Sequence, residues 1–340
     1  MDEETQQANA VRWGVMSTAK IGVRAVIPAI DAASNAQLVA IASRDTARAQ
    51  TIAANYPGTR ALASYKALLA DDEIEAVYIP LPNSMHAEWA IRALEAGKHV
   101  LCEKPLGVTS NEVRRIRAAS EQANRWVMEA FMYRFHPQIR WALEQVAAGR
   151  IGAARMVRSS FVFDLHSRPG DIRLQGALGG GSMMDVGCYP LNFCRAVFGG
   201  PPREIAAHVV VPPGSEVEMT IGAVLDFGEG RMGVIDASFS LPRGFFAEVV
   251  GERGRVVLPA PFTPGHAETV VRIETGDETL ERHFSSIDQY MLEIEGFSRS
   301  IRHEIAPFIS LDDSLEQAES IERIYAAAGY TPPWLDTPTA

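Results

Sequence analysis

The sequence has little of what marks a disulfide-bonded, metal-binding or membrane protein. Its three cysteines, Cys102, Cys188 and Cys194, form no CxxC pair, and its eight histidines form no HExxH motif. An odd number of cysteines without a spacing framework is typical of reduced thiols in a cytosolic protein. No apolar run is long enough to span a bilayer, and the polar residues 1–7 do not resemble a signal peptide. We therefore expect a cytoplasmic protein without a metal site.

The sequence also has fewer basic than acidic residues. The chain has 32 Lys and Arg residues against 42 Asp and Glu residues, a formal net charge of −10 at pH 7. Such a balance disfavours a nucleic-acid backbone or an anionic membrane as a partner, because both repel an acidic surface. A local basic pocket for a nucleotide phosphate is still compatible with it. The expected partner is a small molecule.

What the sequence does contain is a change in the pattern of predicted strands and helices near residue 134. Its 340 residues favour two domains. Up to that point, short apolar strands alternate with amphipathic helices, the pattern of a parallel sheet covered on both faces. Beyond it, strands follow one another across glycine-rich turns, which indicates antiparallel pairing. The predicted fold class is α/β: an N-terminal Rossmann doubly wound domain, residues 1–134, and a C-terminal α+β domain, residues 135–340, with a large, mostly antiparallel open sheet.

The first strand runs into a turn of small residues, 14–22, with the sequence GVMSTAKIG. It matches GxGxxG poorly, but in a GxxGxG spacing Ser17 and Ala19 occupy the later glycine positions. Small residues there let backbone N–H groups and a helix N-terminus approach a pyrophosphate. Any tight strand–helix turn would look similar, but at the first strand of a βαβ run we predict dinucleotide binding. The residues assigned to it are Gly14, Ser17, Thr18, Ala19 and Ile21.

The second strand ends in Ser43-Arg44-Asp45. An NAD site usually has an acid at this strand end to bind the ribose hydroxyls, whereas a hydroxyl and a guanidinium suit a 2′-phosphate. Asp45 is more simply explained as the N-cap of the next helix, and a solvated surface arginine is the alternative for Arg44. The pattern favours NADP as the cofactor, with NAD still possible.

Two more strand ends supply candidates for the cofactor site. Pro80, Asn83 and His86 follow one of them; Asn83 would bond the nicotinamide ribose or cap a helix, and His86 would be functional or structural. The other ends at Glu103 and Lys104, because the proline that follows stops the strand. Lys104 is thus expected at the strand's carboxyl end, where open parallel sheets bind ligands, and a turn lysine in water is the alternative.

Three consecutive glycines, residues 179–181, open the other unusual stretch. Such a run costs backbone entropy and lets a chain pass close to a ligand or to another backbone. Asp185 and Tyr189 come next, four residues apart, so they share a face if the segment is helical. A tyrosine can exchange a proton when a nearby cation lowers its pKa. The alternative is a flexible loop with a packed tyrosine.

Together these stretches resemble the glucose–fructose oxidoreductase / inositol dehydrogenase family, from Val11 to about residue 329. Residues 103–105 match its EKP motif, and residues 185–189 match its second signature. The run Arg134-Phe135-His136-Pro137 is similar to the branch with dimeric dihydrodiol dehydrogenases and NADP-dependent xylose dehydrogenases. Tyrosine at position 189, where many members have histidine, is also similar to that branch.

The resemblance implies NAD(P)-dependent hydride transfer at a carbinol or carbonyl carbon, and it assigns Lys104, Asp185 and Tyr189 to catalysis. The expected substrate is a sugar, first C1 of an aldose such as D-xylose or D-glucose, and second a cyclic trans-diol. A non-catalytic dinucleotide-binding sensor is the competing hypothesis, but a sensor need not retain both the lysine and the tyrosine.

The strands of the second half carry apolar residues on both faces. In the strand near residues 219–227, Met219, Ile221 and Leu225 point to one face and Val224 to the other. The helices predicted in this half are too few to cover both faces of so long a sheet. An exposed apolar face is unusual for a monomer, so we expect a homodimer or a higher homo-oligomer.

Overall fold

The computed structural model describes residues 9–276 and 278–335, which fall into two compact units. The first unit takes in the chain up to Gly107, Asn111–Phe135 and Asp288–Ser314, and the second takes in Val108–Ser110, His136–Ile287 and the chain from Leu315 onward. The chain changes units next to the predicted boundary at residue 134. The two-segment division is nevertheless incomplete, because residues 288–314 pack with the first unit. Residues 1–7, which are not expected to be a signal peptide, lie outside the described residues.

Helices occur in both units of the described chain. Asp45 caps the helix that follows it, because its Oδ1 accepts a hydrogen bond from the Arg48 N–H at 3.0 Å. The helices are α1 (Ile27–Ala32), α2 (Thr46–Ala53), α3 (Tyr65–Leu69), α4 (His86–Glu95), α5 (Ser110–Ala123), α6 (Pro137–Ala147), α7 (Cys188–Phe198), α8 (Gln289–His303) and α9 (Leu311–Ala327). None of the helices in the described ranges is long and apolar enough to cross a membrane.

The first unit is built on a six-stranded parallel sheet with the strand order β3-β2-β1-β4-β5-β6. The order reverses between β1 and β4, and ligands of open parallel sheets bind at the carboxyl ends of the strands beside such a reversal. The strands are β1 (Val11–Met16), β2 (Ala36–Ala42), β3 (Arg60–Leu62), β4 (Ala76–Ile79), β5 (His99–Glu103) and β6 (Val127–Ala130). The Rossmann prediction is confirmed.

Helix α8 explains why a late segment of the chain belongs to the first unit. The buried indole of Trp13 in β1 donates a hydrogen bond to Ser298 Oγ at 3.1 Å. Arg302, near the end of α8, donates to both carboxylate oxygens of Glu75, at 2.8 and 2.7 Å. Burial raises the pKa of Glu75, but the hydrogen bonds and charges of Arg302 and Arg12 outweigh it and hold the pKa below its ordinary value. The sheet and α8 therefore form one core.

The second unit contains an eight-stranded sheet with the order β14-β13-β12-β11-β7-β10-β9-β8. Its described pairs are antiparallel except β7 with β10, so the predicted mostly antiparallel sheet is confirmed. Helices α6 and α7 pack on one of its faces. The strands are β7 (Ala154–Asp164), β8 (Glu204–Val210), β9 (Thr220–Gly228), β10 (Arg231–Ser238), β11 (Ser240–Gly251), β12 (Arg255–Leu258), β13 (Thr269–Thr275) and β14 (Glu278–Phe284).

The other face of this sheet is exposed within the described chain. Val224 in β9 is 41% exposed, whereas Leu225, on the opposite face, is fully buried. Because Val234 in β10 pairs with Val224 in the neighbouring strand β9, their side chains form a continuous apolar strip. Other large apolar side chains on this face are Met232 and Phe246. The predicted apolar character of both faces is confirmed.

Candidate active site

The carboxyl ends of β1, β2, β4 and β5 carry the residues predicted for the cofactor. The ends of β1 and β2 lie side by side, with Thr18 Oγ1 and Ser43 Oγ 3.4 Å apart. Ser17 adopts a left-handed φ of 79°, a conformation usually taken by glycine, and its hydroxyl accepts a hydrogen bond from the Ala19 N–H. The helical backbone begins at Lys20, so the first N–H groups of the helix, which have no partner within it, lie at this edge.

These donors fit the phosphates of a dinucleotide. A helix N-terminus at the end of β1 suits a pyrophosphate, and Ser43 with the exposed Arg44 at the end of β2 suits a 2′-phosphate. Tyr65, which the sequence did not single out, connects the two places. Burial raises the pKa of Tyr65, and hydrogen bonds with Arg44 and Ser17 only partly offset this effect, so its hydroxyl lies close to both residues.

Two of the predicted cofactor residues, Gly14 and His86, make close contacts within the protein. Gly14 lies within β1, and an added Cβ would come within 2.9 Å of Ile74 Cδ1, so packing beneath the sheet accounts for the glycine. His86 is fully buried, and its Nδ1 and Nε2 lie 2.7 and 2.8 Å from the carbonyl oxygens of Pro105 and Leu81. Its ring therefore joins the loops after β4 and β5 rather than reaching a ligand.

The turn after β5, which carries Lys104, is held from several sides. The hydroxyl of Tyr78 donates a 2.6 Å hydrogen bond to Glu103 Oε1, and burial keeps the pKa of Tyr78 well above its ordinary value. On the other side of the lysine, the Leu106 N–H donates to Glu129 Oε1 at 2.9 Å. With His86 bonded to the Pro105 carbonyl, the backbone around Lys104 is fixed in place.

The second unit places Asp185 and Tyr189 on one continuous helical stretch. A π-helical segment, Met183–Gly187, runs directly into α7, so the segment is helical, as the shared face of the two residues requires. Tyr189 is 4% exposed, and its ring packs against Phe161 and Phe262 with centroid distances of 5.5 Å each. The tyrosine side chain is therefore held rigidly by aromatic neighbours.

Asp185 is paired with an arginine that carries no recognisable sequence motif. Arg173 Nε donates to Asp185 Oδ2 at 2.7 Å, and Arg173 Nη1 donates to Asp171 Oδ1 at 3.1 Å. The two carboxylates raise the pKa of Arg173 above its ordinary value, with Asp185 the larger cause. One oxygen of Asp185 is thus committed to a permanent cation, which suits an orienting carboxylate better than a proton acceptor.

The glycine run is explained by close packing rather than by flexibility. An added Cβ on Gly180 would lie 2.4 Å from the Arg173 carbonyl oxygen, and one on Gly181 would lie 2.5 Å from Glu218 Oε2. Gly181 also has a φ of +124°, which side chains rarely tolerate. The glycine run therefore lets the backbone approach another segment closely, which is one of the two uses predicted for it.

A doubly wound sheet followed by an α+β unit with a large open sheet is the architecture of a class of two-domain dinucleotide-dependent oxidoreductases. Residues 11–131 match the model of the oxidoreductase family with an NAD-binding Rossmann fold. Residues 139–257 match the model of the GFO/IDH/MocA C-terminal domain. The chain belongs to the GFO/IDH/MocA family of oxidoreductases.

Known relatives cover almost the entire chain. A D-xylose 1-dehydrogenase (NADP(+)) from Haloferax volcanii is 38% identical over 317 residues, which are 93% of this chain and 97% of the relative. A 3-ketoreductase from Actinomadura kijaniata, solved with NADP and TDP-benzene, gives a TM-score of 0.88 at 32% identity over 94% of this chain and 98% of its own. An aldose-aldose oxidoreductase from Caulobacter crescentus gives a TM-score of 0.87 at 26% identity. The match covers 94% of this chain and 98% of the oxidoreductase. The ketoreductase has also been solved with one lysine or one tyrosine replaced.

The close packing around Gly180 predicts that one added methyl group lowers the stability of the protein. Gly180→Ala should destabilise the protein by about 1–3 kcal/mol, because the Cβ meets backbone oxygens that have no room to move. Gly170→Ala is the matched control, since it has no neighbour within 4 Å of an added Cβ. Urea unfolding measures both. Equal stability of the two variants would contradict the close-packing explanation.

Proposed function

We propose that this protein is an NADP-dependent sugar dehydrogenase or reductase that transfers a hydride between the nicotinamide and a carbinol or carbonyl carbon, with C1 of an aldose as the first-choice position. The observation that carries the proposal is the combination, in one chain, of Lys104 in a rigid turn after β5 with Asp185 and Tyr189 on one rigid helix. Full-length similarity to a D-xylose 1-dehydrogenase (NADP(+)) supports the substrate class and the cofactor.

The chemistry requires a proton to move with the hydride. NADP, when bound, supplies or accepts the hydride. Tyr189 exchanges the proton with the substrate oxygen, and the ammonium group of Lys104 stabilises the phenolate, since a nearby cation lowers a tyrosine's pKa. Free tyrosine and lysine both have pKa values near 10, so neither alone is an efficient base at neutral pH. The aromatic packing of Tyr189 supports a fixed proton-transfer geometry.

Asp185 has an orienting role in this proposal. Its Oδ2 accepts from Arg173, which keeps the carboxylate ionised and fixes its rotamer. The carboxylate then orients the substrate hydroxyl, or it fixes the loop that carries Arg173. We also propose a cytoplasmic location, which the three buried cysteines support, because thiols that form no disulfide are typical of a reducing compartment.

A substrate panel tests the proposed function. Aldoses, cyclic trans-diols and keto sugars are each offered with NADP or NADPH, and absorbance of the reduced nicotinamide is followed. We expect the highest kcat/KM with an aldose and NADP. The trans-diol is the alternative substrate, which similarity to a trans-1,2-dihydrobenzene-1,2-diol dehydrogenase from Xenopus laevis supports at 31% identity over 74% of this chain. Tight cofactor binding with no turnover of any class would instead favour the sensor.

Arg44 should discriminate between the two cofactors. Arg44→Ala removes a charge-assisted hydrogen bond to the 2′-phosphate, worth about 1.5–3 kcal/mol, so NADP affinity should fall by roughly tenfold or more. NAD affinity should change little. Fluorescence titration with each nucleotide measures both. Arg48→Ala, also an exposed arginine, is the control, and equal weakening of NADP and NAD in Arg44→Ala would exclude 2′-phosphate recognition by this residue.

Tyr189 and Lys104 should carry the proton transfer. Tyr189→Phe keeps the ring but removes the hydroxyl, so kcat should fall by roughly 10²–10⁴-fold while cofactor affinity changes little. Lys104→Ala should cost at least as much, because it removes both a donor and the charge. Steady-state kinetics measures both, with exposed Lys66→Ala as the control. Full activity in Tyr189→Phe with none in Lys104→Ala would leave the lysine as the sole acid–base group.

The open face of the second sheet is our proposed contact with a second copy of the chain. Its apolar strip, Val224, Val234 and Met232, is continuous across β9 and β10. Ion pairs within the same sheet, such as Arg158 with Glu248 and Arg255 with Glu274, already neutralise one another. An apolar strip beside balanced charges suits an identical sheet as a partner, because no net charge has to be desolvated.

Light scattering tests this dimer. The wild-type protein should have at least twice the monomer mass at micromolar concentration, and Val234→Asp should shift it to the monomer. Leu280→Asp is the matched control, because Leu280 is 41% exposed on the same sheet but pairs with Ile273 on the opposite face. A wild-type monomer, or an unchanged mass in Val234→Asp, would reject this surface as the interface.

A further inference from the structure

Glu218 is a fully buried acid to which the proposed chemistry gives no role. It precedes β9 in an apolar stretch between Val217 and Met219, and it is 0% exposed. Its Oε1 accepts hydrogen bonds from the Met183 N–H and from the Tyr325 hydroxyl, each at 2.9 Å. Its carbonyl oxygen accepts from the Ser182 N–H at 3.1 Å. One residue therefore binds two successive N–H groups of another segment.

Those two N–H groups belong to the first turn of the helical stretch that carries Asp185 and Tyr189. The first N–H groups of a helix lack partners within it and carry partial positive charge, so a carboxylate there stabilises the helix start. The residue before them is shaped for this contact: Gly181 has no Cβ, and any Cβ would lie 2.5–2.6 Å from the carboxylate oxygens. The cap thus comes from a residue 35 positions further along the chain.

We propose that Glu218 is a positioning residue for the reaction: as a carboxylate it fixes the start of the helix, and through it the places of Asp185 and Tyr189. This inference rests on the proposed roles of those two residues. Asp185 lies two residues beyond Met183, and Tyr189 lies further along the same helical stretch. A shift of the helix start therefore moves both side chains, and a misplacement of about 1 Å is enough to slow a reaction by roughly 10²-fold.

The ionisation of Glu218 gives the proposal a pH signature. Burial raises the pKa of Glu218 to about 7, and hydrogen bonds from Met183 and Tyr325 only partly counter it. The titratable groups that face it are the phenols of Tyr325 and Tyr330, whose pKa values burial also raises, to about 12 for Tyr330. Both phenols are neutral near pH 7, so a change of kcat in that region that depends on this cluster reports on Glu218.

Two variants of the full-length enzyme test the proposal by kcat, KM and pH profile. Glu218→Gln should lower kcat by roughly tenfold to 10²-fold with little change in NADP affinity, and it should remove the ionisation near pH 7. Tyr325→Phe is milder. Because the Tyr325 hydroxyl lowers the pKa of Glu218, its loss should move the acid limb of the kcat profile to higher pH.

Val256→Ala controls for loss of stability, because it removes buried apolar volume from β12. Val256 takes no part in the contacts from which the proposal is argued. It should lower Tm but leave the kcat profile in place. A Glu218→Gln kcat and pH profile equal to those of Val256→Ala would overturn the proposal. If Glu218→Gln does not fold, an unmoved acid limb in Tyr325→Phe overturns it.

The same measurements separate this proposal from the function on which it rests. Loss of activity in Tyr189→Phe together with a normal Glu218→Gln enzyme would reject only the positioning role. Full activity in both Tyr189→Phe and Asp185→Asn would reject the proposed catalytic residues, and with them the reason for Glu218 to affect kcat.

Discussion

Buried carboxylates that accept backbone N–H groups are the interaction on which the proposed catalytic residues of each unit depend. An ion taken out of water costs on the order of several kcal/mol unless hydrogen bonds replace its hydration. Glu129 in the first unit accepts from the Leu106 N–H, and Glu218 in the second accepts from the Met183 N–H. Each acid therefore fixes a backbone segment two residues from a proposed catalytic side chain, Lys104 in one case and Asp185 in the other. Rigidity in the site is a consequence of satisfying these acids.

Much of the fold could be predicted because it depends on local pattern. Apolar strands that alternate with amphipathic helices indicated the parallel sheet, and Asp45 could be recognised as a cap from its position alone. The sequence gives no signal for strand β3, because the strand has only three residues. None of them is fully buried, so they form no apolar run. Likewise, nothing in residues 288–314 reveals that they join the first unit, since Arg302 and Glu75 are 227 positions apart.

The site was predictable where it depends on strand ends and motifs, and not where it depends on contacts between distant residues. Ser43, Arg44 and Lys104 follow from the positions at which strands stop. Tyr65 and Arg173 carry no such signal, because their importance comes from the residues they touch. The helical stretch at Met183 is capped by Glu218. Local propensity could not predict this cap, because the acid lies 35 residues away in the sequence.

The return of α8 to the first unit affects how the chain is made. A ribosome releases the six strands of the parallel sheet long before residues 289–303, and the whole eight-stranded sheet is synthesised in between. Until α8 emerges, the indole of Trp13 lacks the Ser298 hydroxyl and the ring of Phe297 that pack against it. The nucleotide-binding unit therefore reaches its final core only after every strand of the other unit's sheet has been synthesised.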